Sequence, residues 1–155
     1  MRRAAAWRAL SAVTVMLFAS GCSHFVVLRD ALSDSEHNDL GVVYEAGGQT
    51  ALAAAEYRKS IRLQPHQSAA WLNRGNLEAK AERWPAAAKS YRRALVESPD
   101  DADVRNNLAV ALLRLGRLRE ARDQATRAVA TGGERDSLYR DTLAEIERAS
   151  GSRHD

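Results

Sequence analysis

The chain has a single cysteine and few aromatic residues. One cysteine, Cys22, cannot form a disulfide within the chain. Aromatic residues make up 6% of the sequence, while alanine is abundant. Because alanine is the best helix former and aromatic and β-branched residues favour strands, this composition indicates packed helices. The four histidines have no metal-ligand spacing, so we expect surface positions and no metal site for His24, His37, His66 and His154.

The sequence also lacks the motifs of catalysis and of nucleotide binding. Serine, histidine and acidic residues occur, but none stands in a nucleophile elbow, and there is no glycine-rich phosphate loop. We therefore expect no enzyme activity, no cofactor and no small-molecule substrate.

A basic surface for nucleic acid is not expected either. The formal net charge of +3 comes from Arg2, Arg3 and Arg8, which lie in an N-terminal stretch of 21 residues without any acidic residue. The remainder carries 20 basic and 20 acidic side chains with interspersed signs. Such a body lacks the basic patch that phosphate groups require.

The first 21 residues are laid out as an export signal. A basic start is followed by the uncharged residues 9–20, and small residues at 19–21 precede Cys22. The apolar run is shorter than the roughly 20 residues that a helix needs to span about 30 Å of hydrocarbon. This layout predicts a signal peptide over 1–21 and no permanent transmembrane helix.

The segment Ala19-Ser20-Gly21-Cys22 resembles the lipobox of bacterial lipoproteins, with alanine where leucine is usual. The resemblance implies cleavage before Cys22 and its acylation by diacylglycerol and a further chain such as palmitate, with residues 22–33 as acylated cysteine and tether. Two or more acyl chains anchor a protein stably, at about 0.8 kcal/mol per buried methylene. By the same resemblance, Ser23 in place of aspartate implies the outer membrane, facing the periplasm. An ordinary signal peptide followed by a cysteine without a role is the alternative.

The rest of the chain repeats itself with a step of 34 residues. Pairs or triplets of like residues stand 34 apart, namely Gly41 and Gly75, Tyr57 and Tyr91, Pro65 and Pro99, and Ala53, Ala87 and Ala121. A period of this length is typical of helical repeat proteins. It defines three units, 34–67, 68–101 and 102–135.

Each unit is predicted to form two helices joined by a turn. Apolar residues recur at helical spacing, and Ser33 with Glu36 forms a capping box at the start of the first unit. The small residues Gly41, Gly75 and Ala109 would let the two helices of a unit approach closely. Arg74 and Glu78, being four apart on one helix, could pair.

This pattern resembles the tetratricopeptide repeat (TPR) over residues 34–133. The resemblance implies an all-α, right-handed superhelical stack of three helix-turn-helix units. It also implies a C-terminal capping helix over 136–150, with Leu138, Tyr139, Leu143 and Ile146 towards the stack, and a tail over 151–155.

The resemblance further implies a groove lined by the first helix of each unit. Seven candidate groove residues follow from it: Asn38, Asn73, Asn76, Lys80, Asn106, Asn107 and Arg114. An asparagine amide donates and accepts hydrogen bonds at once, so a row of asparagines can bind the main chain of an extended peptide. The alternative is that they are solvated helix residues. The lysine–asparagine carboxylate clamp of chaperone-binding members is not reproduced, so an extended peptide or a partner helix is expected.

The sequence therefore predicts a membrane-anchored scaffold for a protein partner in the cell envelope. In architecture it resembles the small TPR lipoproteins of pilus and secretion systems, the pilotins and Tad-type lipoproteins. Two alternatives stay open: an accessory subunit that regulates an envelope peptidase or cell-wall enzyme, and a protein that self-associates through its exposed repeat ends.

Overall fold

The computed structural model describes residues 30–151. The predicted signal peptide, Cys22, most of the tether and residues 152–155 of the tail lie outside these residues. Over the described range the chain forms seven helices and no strand: α1 (Asp34–Ala46), α2 (Thr50–Leu63), α3 (Ser68–Lys80), α4 (Trp84–Glu97), α5 (Ala102–Arg114), α6 (Leu118–Thr131) and α7 (Asp136–Gly151). The predicted all-α fold is confirmed.

The first six helices pack as three hairpins, α1 with α2, α3 with α4 and α5 with α6. Consecutive hairpins contact each other through α2 and α3 and through α4 and α5. The first helices of the hairpins also contact one another, α1 with α3 and α3 with α5, and α5 contacts α7. The second helices α2, α4 and α6 do not contact one another. The first helices therefore form a continuous inner layer, and the second helices lie apart on the outside.

The ends of the helices follow from local sequence. At α1 the backbone N–H of Glu36 donates to Ser33 Oγ at 3.3 Å, and the backbone N–H of Ser33 donates to Glu36 Oε2 at 2.9 Å. These hydrogen bonds lower the pKa of Glu36 and complete the predicted capping box. The turn inside each hairpin contains a residue with positive φ, at Gly48, Glu82 and Gly116. These three positions are 34 apart, so the second unit makes the same turn with glutamate.

The small residues predicted to allow close approach lie where the tyrosines of the second helices cross. A Cβ atom on Gly41 would lie 2.5 Å from Tyr57 Cε1, and one on Gly75 would lie 2.6 Å from Tyr91 Cε1. No real Cβ atom sits that close to a ring carbon, so both rings require glycine opposite them.

The apolar core is concentrated in the later helices. The largest buried cluster combines residues of α4, α5, α6 and α7, including Tyr91, Leu112 and Ile146. A smaller cluster joins α2 to α3 through Ala53, Tyr57 and Leu77.

The last helix, α7, packs on α5 and α6 and buries Tyr139, Thr142 and Ile146. The prediction that Leu138 also faces the stack was wrong, since its side chain is 47% exposed. Residues 139, 142 and 146 share one helical face, and residue 138 lies at the edge of that face, about 40° from residue 142 and about 100° from residue 139 around the axis.

Two predictions about charged side chains had different outcomes. The expectation of surface histidines was wrong for His37, which is buried with Nδ1 at 2.6 Å from Glu56 Oε2 of α2. The burial follows from hairpin packing, because α2 offers the imidazole a carboxylate partner. The predicted pair is confirmed: Arg74 Nε donates to Glu78 Oε1 at 3.0 Å, and Ser90 Oγ donates to the other carboxylate oxygen at 2.8 Å.

No helix between residues 30 and 151 combines the length and the apolar character needed to cross a bilayer.

Candidate functional site

An open groove of about 640 Å³ runs across the inner layer of first helices. Three first helices and two second helices contribute to its lining: Val42, Glu45 and Ala46 of α1, Tyr57 of α2, Asn73, Asn76, Ala79 and Lys80 of α3, Trp84 and Tyr91 of α4, and Asn107 and Val110 of α5. The groove thus combines aromatic and aliphatic side chains with a central set of amides.

Two tyrosines at the same repeat position form its floor. Tyr57 donates its hydroxyl to Glu45 Oε2 at 2.8 Å, and Tyr91 donates to Asn76 Oδ1 at 2.9 Å. Burial is the main cause that raises the pKa of both hydroxyls above the usual range, assisted by Glu45 for Tyr57 and by the charge of Glu78 for Tyr91. Both hydroxyls therefore stay protonated and fix the polar groups above them.

Asparagines link consecutive first helices along the groove. Asn73 Nδ2 of α3 donates to Asn38 Oδ1 of α1 at 2.9 Å, and Asn107 Nδ2 of α5 donates to Asn76 Oδ1 of α3 at 3.2 Å. These bonds set the orientation of each amide. Asn76 accepts twice with its oxygen, from Asn107 and Tyr91, which leaves its NH₂ group as a donor towards the groove. Asn73 and Asn107 each use one N–H, which leaves their oxygens as acceptors.

The charged groups of the groove are paired with its own residues. Lys80 Nζ donates to Glu45 Oε1, and this lysine is exposed at the rim while the carboxylate is mostly buried. On the next repeat, the guanidinium of Arg114 lies 6.0 Å from the ring centroid of Trp84, a cation–π distance. The lining itself, which does not include Arg114, therefore presents amides, apolar surface and one ion pair.

Four of the seven predicted groove residues line it: Asn73, Asn76, Lys80 and Asn107. The other three lie elsewhere. Asn38 is 9% exposed and lies behind Asn73 as its acceptor, and Arg114 covers Trp84 beside the groove. Cys22, the predicted lipid attachment residue, lies outside the described residues.

The placement of Asn106 in the groove needs correction, since the residue is 3% exposed and is absent from the groove lining. Consecutive residues of a helix are about 100° apart, so α5 can direct only one of the two neighbouring asparagines into the groove. It directs Asn107 there. Asn106 Oδ1 has no hydrogen-bond partner within residues 30–151.

Reasoning from sequence missed the contribution of the second helices. The predicted groove is lined by first helices, yet Tyr57 of α2 and Trp84 and Tyr91 of α4 also line it. The 34-residue step of the tyrosines shows that they occupy equivalent places. It does not show that their hydroxyls reach Glu45 and Asn76.

Fold and groove together define a helical repeat protein with an open inner face. The family model described as Tetratricopeptide repeat matches residues 38–102 and 72–136. The chain belongs to the tetratricopeptide repeat family. Proteins of this family are generally non-enzymatic scaffolds.

Two curated relatives match shorter segments. The tetratricopeptide repeat-containing protein trd-1 of Caenorhabditis elegans is 30% identical over 91 residues, which cover 59% of this chain and 12% of that protein. Human protein O-mannosyl-transferase TMTC1 is 33% identical over 72 residues, or 46% of this chain and 8% of that protein. The matched segments are thus small parts of both relatives.

Among solved structures, the first TPR of Spaghetti (RPAP3), bound to the HSP90 peptide SRMEEVD, has the same fold. Its TM-score is 0.70 at 17% sequence identity, and the match covers 81% of this chain and 97% of that one.

Proposed function

We propose that this protein is a lipid-anchored scaffold whose groove binds an extended segment of a partner protein. The observation that carries the proposal is the orientation of the groove amides. The NH₂ group of Asn76 and the oxygens of Asn73 and Asn107 are directed by internal hydrogen bonds and keep free capacity. Together they can donate to a main-chain carbonyl and accept from main-chain N–H groups.

The comparison with solved structures supports a peptide ligand. The first TPR of RPAP3 is bound to a seven-residue peptide, and its fold covers most of the present chain. A groove of about 640 Å³ lies in the usual range for ligand sites, roughly 300–1,000 Å³.

The pairing of charges favours the main chain of the partner over its terminal carboxylate. Lys80 is held by Glu45, and the remaining polar groups of the floor are neutral. Val42, Val110 and Trp84 offer apolar contacts between the amides. A polypeptide passing through the groove with small apolar side chains towards it fits this lining.

The groove is tested by Asn76→Asp, which keeps the oxygen that accepts from Tyr91 and Asn107 but removes the donor. A photo-crosslinking amino acid placed at Val110 reports occupancy in membrane extracts, and the crosslinked polypeptide is identified by mass spectrometry. We expect a discrete crosslinked partner that Asn76→Asp reduces at least about tenfold, since one lost hydrogen bond and one repelled carbonyl cost about 1.4 kcal/mol or more. Gln64→Glu, on an exposed loop, makes the same change of charge and serves as the control.

Equal crosslinking in both variants would reject the site. A discrete partner that is an envelope assembly protein, of the pilus or secretion type, agrees with the proposal. Recovery of an envelope peptidase or cell-wall enzyme would instead favour the role of an accessory regulatory subunit.

The anchor is proposed from the sequence around Cys22, and the location from Ser23: the outer membrane, facing the periplasm. Cys22→Ser should abolish labelling by a fatty-acid analogue and release the protein from membranes, because the acyl chains supply the membrane affinity. Fractionation with and without the substitution measures this. Labelling that persists in Cys22→Ser would contradict the assignment.

A further inference from the structure

The charges of the described residues are sorted by helix layer. The second helices α2, α4 and α6 carry nine Lys or Arg and four Asp or Glu residues. The first helices and α7 carry six basic and ten acidic residues. These helices together are close to neutral, yet the outer layer of second helices is positive. The mixing of both signs along the sequence does not show this separation.

The positive charge is least compensated on α2 and α4. Arg58, Arg62 and Lys89 are exposed and form no ion pair with any residue of 30–151. The acidic residues of these two helices have other partners: Glu56 is buried against His37 and also pairs with Lys59, and Glu97 bonds to His66. α6 carries two acidic residues, Glu120 and Asp123, which pair with Arg117 and Arg127. Its excess of basic over acidic residues is therefore one, against two on each of α2 and α4.

Exposed aliphatic side chains lie among these basic residues. Leu52 and Leu63 of α2 are 47% and 57% exposed, and Val96 of α4 is 65% exposed. On a helix, residues 52, 55, 59, 62 and 63 fall within an arc of about 100°, so Leu52, Leu63, Lys59 and Arg62 share one stripe of α2. Basic heads with aliphatic side chains between them are typical of a helix face that lies on a lipid headgroup layer.

We propose that the outer face of α2 and α4 binds an anionic phospholipid surface. This face is called here the basic face and is defined by Arg58, Arg62, Lys89, Arg93 and the aliphatic residues between them. The proposal rests on the membrane attachment proposed above. Its basic residues belong to two helices of the outer layer that do not contact each other, so the face extends over more than one helix and fits a surface better than a single peptide. The groove, which runs across the inner layer of first helices, then opens away from the lipid.

The test uses the full chain with Cys22→Ser, so that no acyl chain contributes, and cosedimentation with vesicles. The vesicles are phosphatidylcholine alone or phosphatidylcholine mixed with phosphatidylglycerol. Arg58→Gln/Arg62→Gln/Lys89→Gln removes three charges from the basic face. Arg83→Gln/Arg140→Gln/Arg148→Gln removes three exposed charges from other surfaces and is the matched control.

We expect binding to the anionic vesicles only, and weaker binding at about 0.15 M salt than at low salt. The triple change on the basic face should reduce this binding at least about tenfold, whereas the control should not. Equal binding of both triple variants, or equal binding to neutral vesicles, overturns the proposal. So does basic-face-dependent binding to polyglutamate with none to anionic vesicles, which identifies an acidic protein as partner. If the protein does not bind anionic vesicles but acylation of Cys22 and crosslinking in the groove are both observed, this proposal is rejected and the proposed function stands.

Discussion

The contact between a small residue and a tyrosine is the most restrictive feature at the scale of single residues. Gly41 faces Tyr57 and Gly75 faces Tyr91, and in the third unit the equivalent positions are Ala109 and Ala125. Where the ring is absent a methyl group is tolerated, so the two positions change together. This explains why the third unit has Ala125 where the first two units have Tyr57 and Tyr91.

We expect Gly75→Ala to lower the free energy of unfolding by about 1–2 kcal/mol. The added Cβ atom would lie 2.6 Å from Tyr91 Cε1, and the buried ring is held by its bond to Asn76. Overpacking of this kind costs about 1–3 kcal/mol, and the better helix propensity of alanine offsets up to about 1 kcal/mol. Urea unfolding followed by circular dichroism measures the change.

Gly47→Ala is the matched control, because the nearest atoms to its Cβ are 3.6 Å away and its φ is −81°. It should leave the free energy of unfolding within about 0.5 kcal/mol of that of the parent. A Gly75→Ala protein as stable as Gly47→Ala would show that the ring can move aside.

At the scale of elements, equivalent residues differ in burial according to whether a preceding hairpin exists. Val43, Leu77 and Ala111 stand 34 apart on α1, α3 and α5. Leu77 and Ala111 are buried, whereas Val43 is 65% exposed. The reason is that α2 packs on α3 and α4 packs on α5, while no described helix of a preceding hairpin packs on α1. A repeat therefore buries its apolar face only against its neighbour.

Truncation at this position should be costly inside the stack and cheap at its end. We expect Leu77→Ala to cost about 2–4 kcal/mol, as a buried leucine within the cluster of Ala53 and Tyr57. Val43→Ala should change stability by less than about 0.5 kcal/mol. Urea unfolding of both variants measures the difference. The slope of the free energy of unfolding against urea concentration should stay unchanged. A large loss for Val43→Ala would indicate that something covers α1 in solution.

The apolar core is unevenly distributed over the whole molecule. The largest cluster spans α4 to α7, while α1 and α2 are held mainly by Tyr57, Ala53 and the buried His37–Glu56 pair. Regions with fewer buried apolar contacts open with a smaller free energy. The first hairpin is therefore the weakest part of the stack.

Hydrogen exchange followed by mass spectrometry should resolve this difference. We expect amides of α1 and α2 to exchange through partial opening, well before those of α5 and α6, because a linear stack can fray from one end. A partner peptide bound in the groove contacts α1 and α3, so it should slow exchange in the first hairpin most. Uniform exchange in all helices would show that the stack opens as one cooperative unit.

The sequence by itself determined the helical class, the 34-residue step, the hairpin turns and the need for small residues at Gly41 and Gly75. These features depend on local propensity and on periodicity, which a single chain displays directly. The tertiary structure alone decided that Asn107 enters the groove while Asn106 is buried, that His37 meets Glu56, and that basic residues collect on the outer layer. Each of these depends on how a helix is rotated against a neighbour many residues away, and the spacing of residues within one helix does not contain that rotation.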